Sequence, residues 1–187
     1  MRKILLLILM TVALFVNAQG HMTFKGIEID GTVPEMVKKL EGKGYTKLPQ
    51  MGEVTMLTGT FTGQDVMLGL YTTPVTKTVY GIMVIYMDNA DSWALLSGKY
   101  EGLKERLTSK YGEPDEVIEK FDWPYSPSSH PLEAFRSEHA TYKTRFKTDN
   151  GGVTLSIIPN QSVLTVGLFY WDKENFAKNS AEVEDEL

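Results

Sequence analysis

The 187-residue chain contains no cysteine. Disulfides, thiolate metal sites and cysteine nucleophiles are therefore excluded, and stability must come from an ordinary packed core. A lipid anchor built on a cysteine after an export signal is excluded on the same ground. Catalytic signatures are missing as well: there is no G-x-S-x-G, no H-E-x-x-H, no phosphate-cradling glycine loop and no dinucleotide fingerprint. Of the three histidines, His130 and His139 lie nine residues apart in a loop and its exit, a spacing that fits no helical metal pair. Asp88-Asn89-Ala90-Asp91 has the acids of a calcium loop but lacks its glycine and distal glutamate, so it reads as a helix cap. Asp115 and Glu116 read as surface charges. No metal, no cofactor and no enzymatic activity is expected.

Long apolar runs are also scarce, with one exception at the start. Arg2 and Lys3 precede Ile4 to Val16, a continuous apolar stretch, and Val16-Asn17-Ala18 supplies small residues for cleavage. Residues 1–18 are thus expected to be a signal peptide, with the mature chain beginning at Gln19. Losing Arg2 and Lys3 takes the net charge from −5 to −7. Such an acidic chain without a basic tract is a poor partner for nucleic acid or an anionic membrane. No later run approaches the roughly 20 residues of a membrane-spanning helix. The expectation is an exported protein, periplasmic or secreted, of unknown oligomeric state.

What is present is patterned. Thr23 to Ile29 reads as a strand, and Thr32-Val33-Pro34-Glu35 as a capping box opening a short helix with the stripe Val33, Met36, Val37 and Leu40. Trp93, Leu96, Tyr100, Leu103, Leu107 and Tyr111 recur every three or four residues, predicting a second helix capped by Asp91 or Ser92 and stopped at Gly112-Glu113-Pro114. Gly98 and Gly102 lie inside it, which suggests a kink or a close helix-to-sheet contact, while Lys99, Glu101, Lys104, Glu105 and Arg106 should face water.

Strands follow each helix, and the chain repeats itself. Asp65 to Tyr71 and Val79 to Asp88 align with Gly152 to Ile158 and Val163 to Asp172; Val54 to Phe61 matches Ala140 to Phe146 in position. Helix followed by three strands, twice, predicts an α+β fold: two repeats (about 23–88 and 89–172) forming one antiparallel sheet with helices on one face. Residues 19–180 would be a single domain, and the acidic 181–187 a solvated tail.

Alternation separates the sheet faces. Val66, Leu68, Leu70, Ile82 and Val84, with Val153, Leu155, Ile157, Leu164, Val166 and Leu168, should pack under the helices. The other face carries Tyr71, Met83, Phe169 and Trp171 beside Lys143, Arg145 and Lys147. Trp, Tyr, Met and Arg are over-used at protein interfaces, so Tyr71, Met83, Lys143, Arg145, Phe169 and Trp171 are candidate contacts. Trp123 and Tyr125 are further candidates. They sit in Trp123 to Leu132, a proline-rich insertion into the second repeat only.

Phe24-Lys25-Gly26-Ile27-Glu28-Ile29-Asp30-Gly31, Thr60-Phe61-Thr62-Gly63, Trp93, the Tyr100-x-x-Leu103-Lys104-x-x-Leu107 helix with Lys110-Tyr111-Gly112-Glu113-Pro114, and Tyr170-x-Asp172 together resemble a group of small exported proteins of Gram-negative gut bacteria, of uncharacterised function. The layout is similar to the β-lactamase-inhibitor-protein-like (BLIP-like) fold, and that resemblance implies a concave sheet face that grips a partner protein. Three function classes stay open: a module binding an envelope or extracellular protein through the sheet face, a small-molecule or glycan-binding protein using Trp123 and Tyr125, and a hydrolase of unrecognised type.

Overall fold

The computed structural model describes residues 20–185 except 51, 89, 161 and 162. The expected signal peptide and Gln19 lie outside the described residues. In chain order the elements are β1 (Thr23–Phe24), β2 (Ile27–Glu28), α1 (Val33–Glu41), β3 (Thr46–Lys47), β4 (Thr55–Phe61), β5 (Gln64–Thr72), β6 (Val79–Tyr86), α2 (Trp93–Tyr111), β7 (Glu116–Phe121), α3 (Pro131–Arg136), β8 (Ala140–Thr148), β9 (Gly151–Asn160), β10 (Val163–Asp172) and α4 (Lys173–Glu184). The class is α+β. Eight strands form one antiparallel sheet in the order β3-β4-β5-β6-β10-β9-β8-β7, and β1 pairs with β2 apart from it. Each expected helix is followed by four strands rather than three. The additional ones, β3 and β7, are sheet edges, where short or charged sequence leaves little alternation to read.

Every strand residue assigned to the core is buried, and Leu68, Val84, Leu155 and Val166 are wholly so. α1 contributes Met36, Val37 and Leu40, and α2 contributes Leu96, Tyr100, Leu103 and Leu107. Phe24 stacks on Phe61 and meets the Tyr170 ring edge-on, with centroids 5.4 and 5.2 Å apart. At the other end Trp93 packs between Phe135, 5.7 Å away, and Tyr142, 5.1 Å away. Edge-to-face and offset geometries let the positive rim of one ring meet the negative face of the next.

Several local expectations are corrected. The capping box forms as expected, with Glu35 reaching back to the Thr32 amide at 2.9 Å, and the Thr32 hydroxyl in addition donates to the same carboxylate. Ser92 caps α2, its hydroxyl accepting from the Leu95 amide at 3.3 Å. Lys99 and Lys104 do not simply face water. Lys104 lies between Glu101 (2.7 Å) and Glu119 (2.6 Å), and Lys99 reaches Asp88 across the ring of Tyr86. A methyl added at Gly98 or Gly102 would meet nothing within 4 Å, so neither glycine marks a close contact with the sheet.

The proline-rich insertion is partly structural. Its last two residues open α3, which runs on to Arg136 and buries Ala134 and Phe135 against the Trp93 cluster. The C-terminal stretch is not a tail through Glu184, because α4 extends to that residue. The charge of this stretch suggests solvation, whereas Glu182 accepts hydrogen bonds from the Val75 and Thr76 amides at 2.7 and 3.1 Å.

Inside the core, the Tyr100 hydroxyl and Thr144 hydroxyl are 2.5 Å apart, and burial pushes the Tyr100 phenol well above its usual range. Tyr100→Phe leaves Thr144 unsatisfied and should cost about 1–3 kcal/mol, whereas Thr144→Val on that background should recover part of the loss. Urea unfolding midpoints of the two single variants and the double variant measure this coupling.

Candidate functional site

The face opposite the core is built on glycines. Phe169 lies over Gly81, so that a methyl at Gly81 would stand 2.4 Å from its Cζ. Trp171 pairs with Gly81 on β6 and Gly152 on β9, and its indole covers Gly152, where a methyl would come within 2.8 Å of Cζ2. Removing Cβ lets large rings lie flat across the neighbouring strand, an arrangement that makes up for the weak strand propensity of glycine.

A bulge adds another ring. Tyr71 pairs with Gly81 and Thr72 with Val79, which leaves Tyr80 as an extra residue. Tyr80 thereby joins Tyr71 at 6.3 Å, Phe169 at 6.4 Å and Phe176 of α4 at 5.8 Å. Phe176 also packs 5.6 Å from Trp171. Since Trp171 and Phe169 alternate with the buried Tyr170 and Leu168, α4 lies on the outer face, at the end of the sheet where β10 leaves it.

Beside the rings lies a groove of about 320 Å³ lined by Lys143, Arg145, Lys147, Thr154, Phe169, Trp171 and Phe176. It brings together four of the sequence-selected residues: Lys143, Arg145, Phe169 and Trp171. Tyr71 adjoins through its edge-to-face contact with Phe169 at 5.6 Å, and Met83 is the direct cross-strand partner of Phe169. Trp123 and Tyr125 are not members. Trp123 is 91% exposed and touches no other ring among the described residues, and Tyr125 stacks on His139 at 5.3 Å.

Glu116 is the residue that sequence reasoning missed. Its Oε2 lies 3.3 Å from Lys143 Nζ and 3.4 Å from Arg145 Nη2, which partly neutralises the basic stripe. The register Glu116↔Arg145 follows from the β7–β8 pairing, so recognising β7 as a strand would have revealed it. The Nε of Arg145 is buried without a hydrogen-bond partner among the described residues. Lys147 points no salt bridge at any described carboxylate, although its amide donates to Asp115 at 2.6 Å.

Hydrogen bonds hold α4 in place more than apolar burial does. Asp172, almost fully buried, accepts from the Met22 amide at 2.8 Å and the Asn175 amide at 2.9 Å. Asn175 donates to the Ile29 carbonyl at 3.1 Å and to Asp30 at 2.9 Å. His21 stands 3.1 Å from Asp172 and 3.6 Å from Asp30. Burial opposes protonation of His21, but the hydrogen bond to Asp172 and the negative charges around it prevail and raise its pKa.

No group of three or more metal-ligating side chains gathers among the described residues. No described helix is long and apolar enough to cross a membrane. No protein family, curated protein or solved structure matches the chain.

Burial disfavours the Glu182 carboxylate, but the hydrogen bonds from Thr76 and Val75 together outweigh it and hold the pKa down to about 2. A depressed carboxylate contributes stability above its unfolded pKa and loses it as pH falls through the folded value. Docking of α4 on the Thr72 to Thr78 hairpin should therefore persist below pH 4.5 and fail on approach to about pH 2. The amide shifts of Val75 and Thr76, followed by NMR from neutral to acid pH, should report that titration, and Glu182→Gln should abolish it.

Proposed function

We propose that the chain is an exported, non-enzymatic binding module that takes a protein partner on the outer sheet face, with Trp171, Phe169 and Arg145 at the centre of the contact. The observation that carries this reading is the groove itself: half-buried rings laid over glycines, beside three basic side chains, in a chain whose net charge is −5. Aromatic residues and Arg are enriched at protein interfaces, the rings because they bury large area with few rotamers to freeze and Arg because its planar guanidinium stacks and donates several hydrogen bonds. The partner would be an envelope or extracellular protein, in keeping with the signal-like residues 1–18.

The same proposal includes the architecture. Residues 23–88 and 89–172 are taken as two copies of one helix-plus-strands unit, similar in layout to the BLIP-like fold. In its favour, the strand order reads outward from β6 and β10 as the same sequence of elements in each half. A glycan-binding reading through Trp123 and Tyr125 draws no comparable support, since the two rings do not form one platform.

Arg145→Ala and Trp171→Ala, compared with the unaltered mature chain in capture from envelope extract and culture medium, test the proposal. Both should lose the captured protein. Arg145→Ala should shift the melting temperature by less than about 4 °C, the equivalent of about 1 kcal/mol for a chain of this size. Retained capture in both variants, or loss of capture explained by collapse of the melting temperature, refutes it.

A further inference from the structure

A second cavity lies apart from the outer groove. It is a cleft of about 430 Å³ between one flank of α2, the β4–β5 hairpin and the segment leaving β6. That volume falls within the roughly 300–1,000 Å³ of small-molecule sites. Lys99, Arg106 and Asp88 bring charge to it, Gln64 brings an amide, and Leu95, 63% exposed, gives an apolar wall.

The charges are unequal. Lys99 is bonded to Asp88 and lies 3.9 Å from the centre of the Tyr86 ring, its side chain only 15% exposed. Cation and ring together hold the ammonium in a fixed position at the cleft floor. Lys99 engages Asp88 through Oδ1, which leaves Oδ2 able to accept. Arg106 makes no salt bridge to any described carboxylate, so the cleft carries one uncompensated positive charge in an acidic chain.

The cleft is open because α2 has glycine at two positions that line it. Gly98 and Gly102 each cost about 1 kcal/mol of helix propensity relative to alanine. Neither cost is recovered in packing, since an added methyl at either would meet only space. Neither residue has the positive φ that requires glycine.

From this combination we infer that the cleft binds a sugar acid, a small polyhydroxylated monocarboxylate. Its carboxylate pairs with Arg106 and approaches Lys99, and its hydroxyls donate to the free oxygen of Asp88 and exchange hydrogen bonds with the Gln64 amide. The C–H face of the sugar lies against Leu95. A guanidinium suits the carboxylate because its planar donor fork matches the two oxygens.

Glucuronate is the probe, with glucose and acetate as the neutral and hydroxyl-free controls, titrated into the mature chain by calorimetry and followed at the amides of Gly98, Gly102 and Gln64 by NMR. The expected result is glucuronate binding that is at least tenfold tighter than either control. Gly102→Leu should weaken it tenfold or more while raising the melting temperature, because it fills the cleft and improves the helix. Arg106→Gln should weaken it as much without changing the fold. Trp171→Ala should leave it unchanged, which separates this site from the outer groove and its partner. Absence of binding at tens of millimolar overturns the inference, as does equal binding of glucose or indifference to Gly102→Leu.

Discussion

The central pairing of β6 with β10 is the constraint on which the rest of the molecule depends. Val84 faces Leu168 and Ile82 faces Tyr170 across it, so one seam aligns the apolar rows of both halves on one side of the sheet. A slip of one residue would turn Leu168 and Tyr170 outward and bring Phe169 and Trp171 into the core. The position of the outer aromatic face is thus fixed by the register that builds the inner one. Gly81 sits at this seam, where the Phe169 ring of β10 lies over it and a side chain would have no room.

Asp172 extends that constraint beyond the sheet. It ends β10, caps α4 and receives the Met22 amide, tying the N-terminal segment and the C-terminal helix to the same strand end. A buried carboxylate is tolerable because amide donors replace the water it has lost. The placement of Phe176 against Trp171 and Tyr80, and so one wall of the groove, follows from this anchor.

Much of the fold was legible because strand alternation is a direct imprint of burial: Val66, Leu68, Leu70 and their counterparts in β9 and β10 could be sorted to the core by parity alone. The outer residues Phe169, Trp171, Lys143 and Arg145 followed from the same parity. Contacts between residues distant in sequence were not legible. Glu116 joins Lys143 and Arg145 only through the β7–β8 register, and Tyr80 joins the rings only through a bulge that breaks the alternation. α4 was hidden for another reason. Its docking face sets the single ring of Phe176 among Asn175, Lys178 and Glu182, which hydrogen-bond to loops, so no apolar stripe marks it in the sequence. Trp123 was a fair suspect by composition, yet its ring stands in solvent because the insertion is anchored through Phe135 of α3 instead.

The seam also has a consequence for how the chain reaches its native state. Its two strands are half the chain apart in sequence, and β10 is the last strand to be synthesised. Until it arrives, β6 is an open edge of apolar sequence, Val79 to Tyr86, able to pair with the same edge of another molecule. Such long-range pairing closes slowly, since loop entropy must be spent before the contacts form. The interval between the completion of β6 and the docking of β10 is therefore when this protein is most exposed to self-association, and any factor that shields nascent strands would act on that interval.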